Sequence, residues 1–134
     1  MPADQRILIL ADTHVGDRTN ALDPALLRAI EAEKPDGILH AGDVCLPEVV
    51  ERLAQIAPTD AVQGNRDWFL GYRLPLDYHY QINGLNITLA HGHISIWQWF
   101  WNYVILFLFG TMSGHRQFQT KLAEKYPLAD VIIY

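Results

Sequence analysis

The sequence predicts an α/β fold in which helices cover a parallel sheet, and three observations carry that expectation. Over residues 1–63, short Ile/Leu/Val-rich runs alternate with segments of helical periodicity, joined by short links. Beyond them, Asn83 and Gly84 sit between two strand-like runs, a strong signal for a tight hairpin. A last apolar run, ADVIIY at 129–134, reads as a buried strand.

Residues 6–11 (RILILA) are apolar, short and followed by a polar turn, which makes them the first strand. Asp23 then offers a capping oxygen ahead of Pro24, whose fixed φ suits the first helical position. Leu26, Leu27 and Ile30 recur at helical spacing, and Pro35, Asp36 and Gly37 stop that helix. GILHA at 37–41 is the second strand. Residues 47–56 form a second helix with Val49, Val50, Leu53 and Ile56 inward, and TDAVQ at 59–63 is the third strand. Parallel neighbours need crossover connections, which these helices supply. Runs 78–82 and 85–90 make the hairpin. Residues 96–109 and 114–126 read as helices, the second with Phe118, Leu122 and Tyr126 along one stripe and Pro127 at its end.

The 134 residues suffice for one core, so 1–134 is expected to be one domain. Half of them are hydrophobic and 19% are charged, which excludes wholesale disorder. Ten bases against 15 acids give −5, so no general nucleic-acid binding is expected. The acids crowd into residues 1–60, which hold 11 of them with 5 bases, whereas 61–134 hold 4 acids and 5 bases. The one cysteine, Cys45, excludes an intrachain disulfide. The apolar run at 7–11 is too short for a signal-peptide core, so a cytoplasmic setting is the expectation.

In an open parallel sheet, ligands bind at the carboxyl ends of the strands. Here each strand end is followed by chemistry. Asp12 and His14 follow the first strand, Gly42 and Asp43 the second, Gly64, Asn65, Arg66 and Asp67 the third, and His91, Gly92 and His93 the hairpin. These are expected to meet at one sheet edge. Gly42 lets the backbone turn so that Asp43 can come close, and a carboxylate with two oxygens can bridge two cations. Asn65 adds a neutral oxygen and His91 an imidazole nitrogen. Mixed N/O ligands suit Mn, Fe, Ni or Zn, and two such ions about 3.5–4 Å apart perform phosphoryl chemistry.

Asp12-x-His14, Gly42 with Asp43, Gly64-Asn65-x-Asp67 and His91-Gly92-His93 resemble four of the five motifs of the calcineurin-like metallophosphoesterases, in order, closest to the small single-domain bacterial and archaeal phosphodiesterases. The resemblance implies a four-layer α/β/β/α sandwich. It also implies two divalent metal ions, Mn first among the candidates and Fe, Ni or Zn after it. Asp12 and His14 would hold one metal, Asp43 would bridge, and Asn65 and His91 would hold the other. A hydroxide between the metals would hydrolyse a small phosphoester, a phosphodiester before a monoester. His93 would stand behind the ligands or face the substrate, Arg66 would hold a phosphate oxygen where larger members carry histidine, and Asp67 would orient a neighbour. The family's last motif, Gly-His-x-His, follows a strand resembling 129–134, whereas this chain ends at Tyr134. The expectation is therefore a sandwich truncated at its C-terminus, with 1–134 alone impaired as an enzyme.

Other polar residues have plainer readings. His40 is read as packed behind the site, His79 and His115 as surface residues, and Cys45 as a small hydrophobe. Asp17 and Arg18 lie near the metal edge, where an ordinary loop role has at least as much support as substrate contact. Residues 94–114 carry no charge, and Gln98 and Asn102 alone relieve the apolar surface of the helix expected there. Their 21 residues approach a bilayer's thickness. A single crossing is rejected because 129–134 must return to the sheet that carries Asp12 and Asp43. Three roles remain for this insertion: a lid beside the metals, homo-oligomer formation, or peripheral membrane contact. The alternative to an enzyme is a catalytically weak protein-interaction or membrane-associated scaffold on the same fold, a role this fold serves in a eukaryotic membrane-trafficking coat.

Overall fold

The computed structural model describes residues 5–92, 96–109 and 115–134. Three strands, β1 (Ile7–Leu10), β2 (Gly37–His40) and β3 (Thr59–Ala61), form a parallel sheet in that order. The helices α1 (Pro24–Glu33) and α2 (Pro47–Ala54) make the crossovers. Asp23 caps α1 by accepting the Ala25 N–H at 2.7 Å, and Lys34 ends it in the left-handed conformation.

A second sheet holds β4 (Asp77–Ile82), β5 (Leu85–Ala90) and β6 (Val131–Ile133). Strands β4 and β5 form the antiparallel hairpin, turning through Asn83 and Gly84 at φ of 52° and 82°, as a two-residue turn of this kind requires. Strand β6 lies parallel to β5, with Ile87 opposite Val131. Between β3 and β4 comes a short helix, α3 (Asn65–Leu70); between β5 and β6 come α4 (Ile96–Phe109) and α5 (His115–Lys125).

Alternation along the strands separates three apolar clusters. Ile38 faces α1 and α2 with Ile30, Val49 and Leu53, whereas its neighbour Leu39 faces the second sheet with Val62 and Leu89. Ala90, on the other face of β5 from Leu89, packs with Leu122 and Tyr126 of the α5 region. Layers of helix, sheet, sheet and helix follow. Tyr80 of β4 also donates a 2.8 Å hydrogen bond to Asp60 of β3, which pins the sheets together. Helix α4 differs from the others. Trp97, Phe100, Trp101, Tyr103, Phe107 and Leu108 are all exposed, Phe107 at 85%. No helix among the described residues is long and apolar enough to cross a membrane.

Three expectations are corrected. The run 59–63 is not strand throughout: Gln63 leaves the ladder and donates to the Pro75 carbonyl at 2.7 Å. Residues 65–70, to which the sequence assigned no element, form α3, whose six residues are too few to show a period. Strand β6 joins the second sheet, not the one that carries Asp12 and Asp43. Because β5 and β6 are paired neighbours, the chain between them still leaves and re-enters one sheet.

Candidate metal centre

Asp12 and His14 follow β1, and their loop is stitched to the loop after β2. Asp12 N–H donates to Gly42 and His14 N–H to Asp43, both at 3.0 Å. Asp12, His14 and Asp43 all have positive φ, at 56°, 48° and 56°. Such backbone is uncommon outside glycine and persists where surrounding contacts over-determine it. Here the two cross-loop hydrogen bonds hold it, and the three side chains turn toward one point.

His14 Nε2 lies 3.6 Å from Asp12 Oδ1 and 3.6 Å from Asp43 Oδ2. On the other side, His91 Nε2 lies 3.5 Å from Asp43 Oδ1 and 3.2 Å from Asn65 Oδ1. The two oxygens of Asp43 are thus divided between two triads. His91 Nδ1 is 2.6 Å from the Ala41 carbonyl, which can only accept, so the Nδ1–H donates there and Nε2 faces the oxygens. His91 comes from β5 and the other residues from the first sheet, so the site spans both sheets rather than one sheet edge.

The donor set fits divalent cations. Bonds of about 2.1 Å from a metal to N and O put neighbouring ligand atoms about 3.0 Å apart in an octahedron and about 3.4 Å apart in a tetrahedron. The separations of 3.2–3.6 Å fall at or slightly beyond these edges. Asp12, His14 and Asp43 also converge as a group of possible metal ligands, and so do His14, Asp17 and Cys45.

Asp67 carries the frame behind the ligands. Fully buried at the third position of α3, it accepts the N–H groups of Gly64 at 2.7 Å, Asp43 at 3.0 Å and Cys45 at 2.6 Å. Glycine is needed on both sides of Asp43. A Cβ on Gly42, at φ 99°, would stand 2.5 Å from His91 Nδ1, and one on Gly64 would overlap Asp43 Oδ1. His40 is wholly buried, accepts the Gly42 N–H at 3.3 Å on Nδ1, and so donates from Nε2 to Thr13 Oγ1 at 3.1 Å. Burial pushes its pKa down to about 4, so the ring stays neutral between the two loops.

Burial likewise raises the Asp43 carboxyl, against the lowering by the Arg66 N–H, His91 and His14. It pushes the Cys45 thiol up to about 11, with Asp67, Asp43 and Asp17 adding to the rise. Cys45 is buried with Sγ 4.0 Å from His14 Nδ1, close to the ligands yet thiol in character.

Asp12, His14, Asp43, Asn65 and His91 are thus brought together, with Arg66 beside them. The Arg66 backbone N–H donates to Asp43 Oδ1 at 2.9 Å, and its Nε lies 3.1 Å from Asp17 Oδ2. His93 lies outside the described residues, as does the side chain of His115. His79 stands apart on β4, bonded to Thr88 at 3.0 Å. Asp17 also reaches the centre, and the sequence signals this only by its place five residues past Asp12.

Residues 6–134 match the calcineurin-like phosphoesterase superfamily domain. The chain is 33% identical over 86 residues to a probable metallophosphoesterase of Methanothermobacter thermautotrophicus, an alignment covering 64% of this chain and 49% of that protein. It is 34% identical over 86 residues to a probable metallophosphoesterase of Methanocaldococcus jannaschii, covering 64% and 42%. The chain spans about half the length of the curated relatives it matches. Among solved structures it is similar to Vps29 of Chaetomium thermophilum, with a TM-score of 0.70 and 19% identity over 98% of this chain and 61% of that one. Zinc-complexed Vps29 of Entamoeba histolytica gives 0.64 and 20%, over 94% and 61%. A novel archaeal phosphodiesterase gives 0.55 and 19%, over 97% and 72%. At these identities the likeness is one of fold.

Proposed function

The chain belongs to the calcineurin-like phosphoesterase superfamily, and on that premise we propose that it hydrolyses phosphodiesters, and monoesters less well, at two adjacent divalent cations. One observation carries the reading: Asp43 gives one oxygen to a triad with Asp12 and His14 and the other to a triad with Asn65 and His91. Mn is the first candidate for both triads, then Fe, Ni or Zn. Cations there would supply positive charge for the phosphoryl oxygens and lower the pKa of an attacking water.

The side chains divide the remaining work. Asp12, His14, Asn65 and His91 hold and orient. Arg66 offers a planar fork of donors, so its role is to grip a phosphate oxygen and not to deliver a proton. We assign protonation of the leaving group to His93, two residues beyond His91. Asp67 is a positioning residue, because it holds the backbone that carries Asp43. The setting proposed is cytoplasmic.

The test is turnover of bis(p-nitrophenyl) phosphate with and without Mn²⁺, by 1–134 and by a chain extended through a Gly-His-x-His segment, which would complete both triads. Mn²⁺-dependent turnover by the extended chain, little by 1–134, and two Mn²⁺ per chain in calorimetric titration are expected. Metal-independent turnover, or a single Mn²⁺ per chain, overturns the reading.

A second reading, an interaction or membrane-associated scaffold, is favoured by the exposed aromatic surface of α4. A Vps29 relative in fold was solved in complex with a cyclic peptide. Flotation with vesicles supports membrane contact through 94–114, and a dimer in sedimentation supports self-association. Neither result leaves α4 as a wall of the metal site.

A further inference from the structure

Asp17 belongs to neither triad bridged by Asp43, yet it joins the metal ligands to the phosphate-facing arginine. Its Oδ2 stands 3.3 Å from His14 Nδ1 and 3.1 Å from Arg66 Nε. Its side chain is 20% exposed, against 64% for the adjacent Arg18. The loop places it there: the N–H groups of Asp17 and Arg18 both donate to the His14 carbonyl, at 3.1 and 2.9 Å, and Gly16 N–H donates to Thr19 at 2.7 Å. This tight turn folds the carboxylate back over the imidazole. His14 then turns Nε2 to Asp12 and Asp43 and Nδ1 to Asp17, the arrangement in which an outer carboxylate fixes a ligand histidine.

The same oxygen decides how Arg66 is presented. A guanidinium is a rigid plane, so holding Nε toward Asp17 turns the edge with both Nη groups away from it. Two parallel N–H groups match the two non-bridging oxygens of a phosphodiester, which carries one negative charge. A phosphomonoester brings about −1.5 to −2 at neutral pH, and the extra charge would be opposed by the Asp17 carboxylate on the other side of the guanidinium. We infer that Asp17 is a positioning and specificity residue, setting Arg66 for phosphodiesters and disfavouring monoesters. The inference rests on the phosphodiesterase reading above.

The experiment uses the chain extended through Gly-His-x-His with Mn²⁺ and compares kcat/KM for bis(p-nitrophenyl) phosphate and p-nitrophenyl phosphate. Asp17→Asn keeps the size and an acceptor for Arg66 but removes the charge, and is expected to lower the diester-to-monoester ratio about tenfold. Asp17→Ala releases Arg66 and is expected to raise KM for the diester about tenfold more than it lowers kcat. In calorimetric titration Asp17→Ala should bind Mn²⁺ about tenfold more weakly, because His14 loses its partner, whereas Asp17→Asn, which keeps an acceptor, should weaken binding less. In an Arg66→Ala background, Asp17→Ala should no longer change KM, an interaction that a merely structural role would not show. An active wild type whose Asp17→Asn variant keeps the substrate ratio within twofold overturns the inference alone. A wild type that turns over neither ester with Mn²⁺ overturns the underlying reading and the inference with it.

Discussion

Asp67→Ala should damage the protein more than any surface change of the same size. The carboxylate is fully buried and accepts three backbone N–H groups, from Gly64, Asp43 and Cys45. Alanine strands all three donors, each costing about 1–3 kcal/mol, while relieving the cost of enclosing a charge. The balance is a loss of about 3–5 kcal/mol, against a total stability of about 5–15 kcal/mol for a domain. With a urea m value of about 2 kcal/mol/M, the unfolding midpoint should fall by about 2 M. Asp67→Asn preserves the shape and one oxygen, so its loss should be about half as large. Urea titration followed by tryptophan fluorescence in metal-free buffer measures both. A midpoint shift under about 0.5 M for Asp67→Ala would show that the backbone donors find other partners, and the reasoning would fail.

Three further outcomes are expected. Gly42→Ala pushes a methyl group against His91 at a positive φ, so calorimetry should show Mn²⁺ affinity at the Asn65–His91 triad at least tenfold below wild type, with the other triad nearer normal. His40 has a folded pKa of about 4 against 6.5 unfolded, so below pH 6.5 the unfolded chain gains a proton the folded chain refuses. The stability it contributes is complete above pH about 6.5 and shrinks by about 3 kcal/mol as pH falls to about 4; chemical unfolding across that range should show a shallower decline in His40→Gln. Replacing Phe107 and Leu108 of α4 by serine, both exposed, should leave the unfolding free energy within about 0.5 kcal/mol of wild type and raise solubility, measured by precipitant titration.

Much of the site was legible because its residues follow strands directly. Once residues 6–11, 37–41 and 59–63 are read as strands, Asp12, His14, Asp43 and Asn65 can only emerge at their ends. The Asp23 cap and the Asn83-Gly84 turn act through neighbours in sequence, and so they too were visible. What was hidden depends on distance along the chain. Nothing local says that β6 pairs with β5 or that His91 approaches from a different sheet than Asp43. Helix α3 is too short for a period. Asp17 looked like loop because its meaning lies in Arg66, 49 residues away, and the left-handed backbone of Asp12, His14 and Asp43 becomes visible only with the hydrogen bonds that enforce it.

His91 reaches from the hairpin across to the Ala41 carbonyl and the carboxylate of Asp43, so an ion held by His91 and Asp43 would rivet the two halves of the sandwich. Ligation and sheet docking would then be one equilibrium, and the melting temperature should climb with the logarithm of free ion concentration. In a cell starved of that ion the halves would part more often, exposing the strands to proteases, so nutrient supply would govern how long each copy survives.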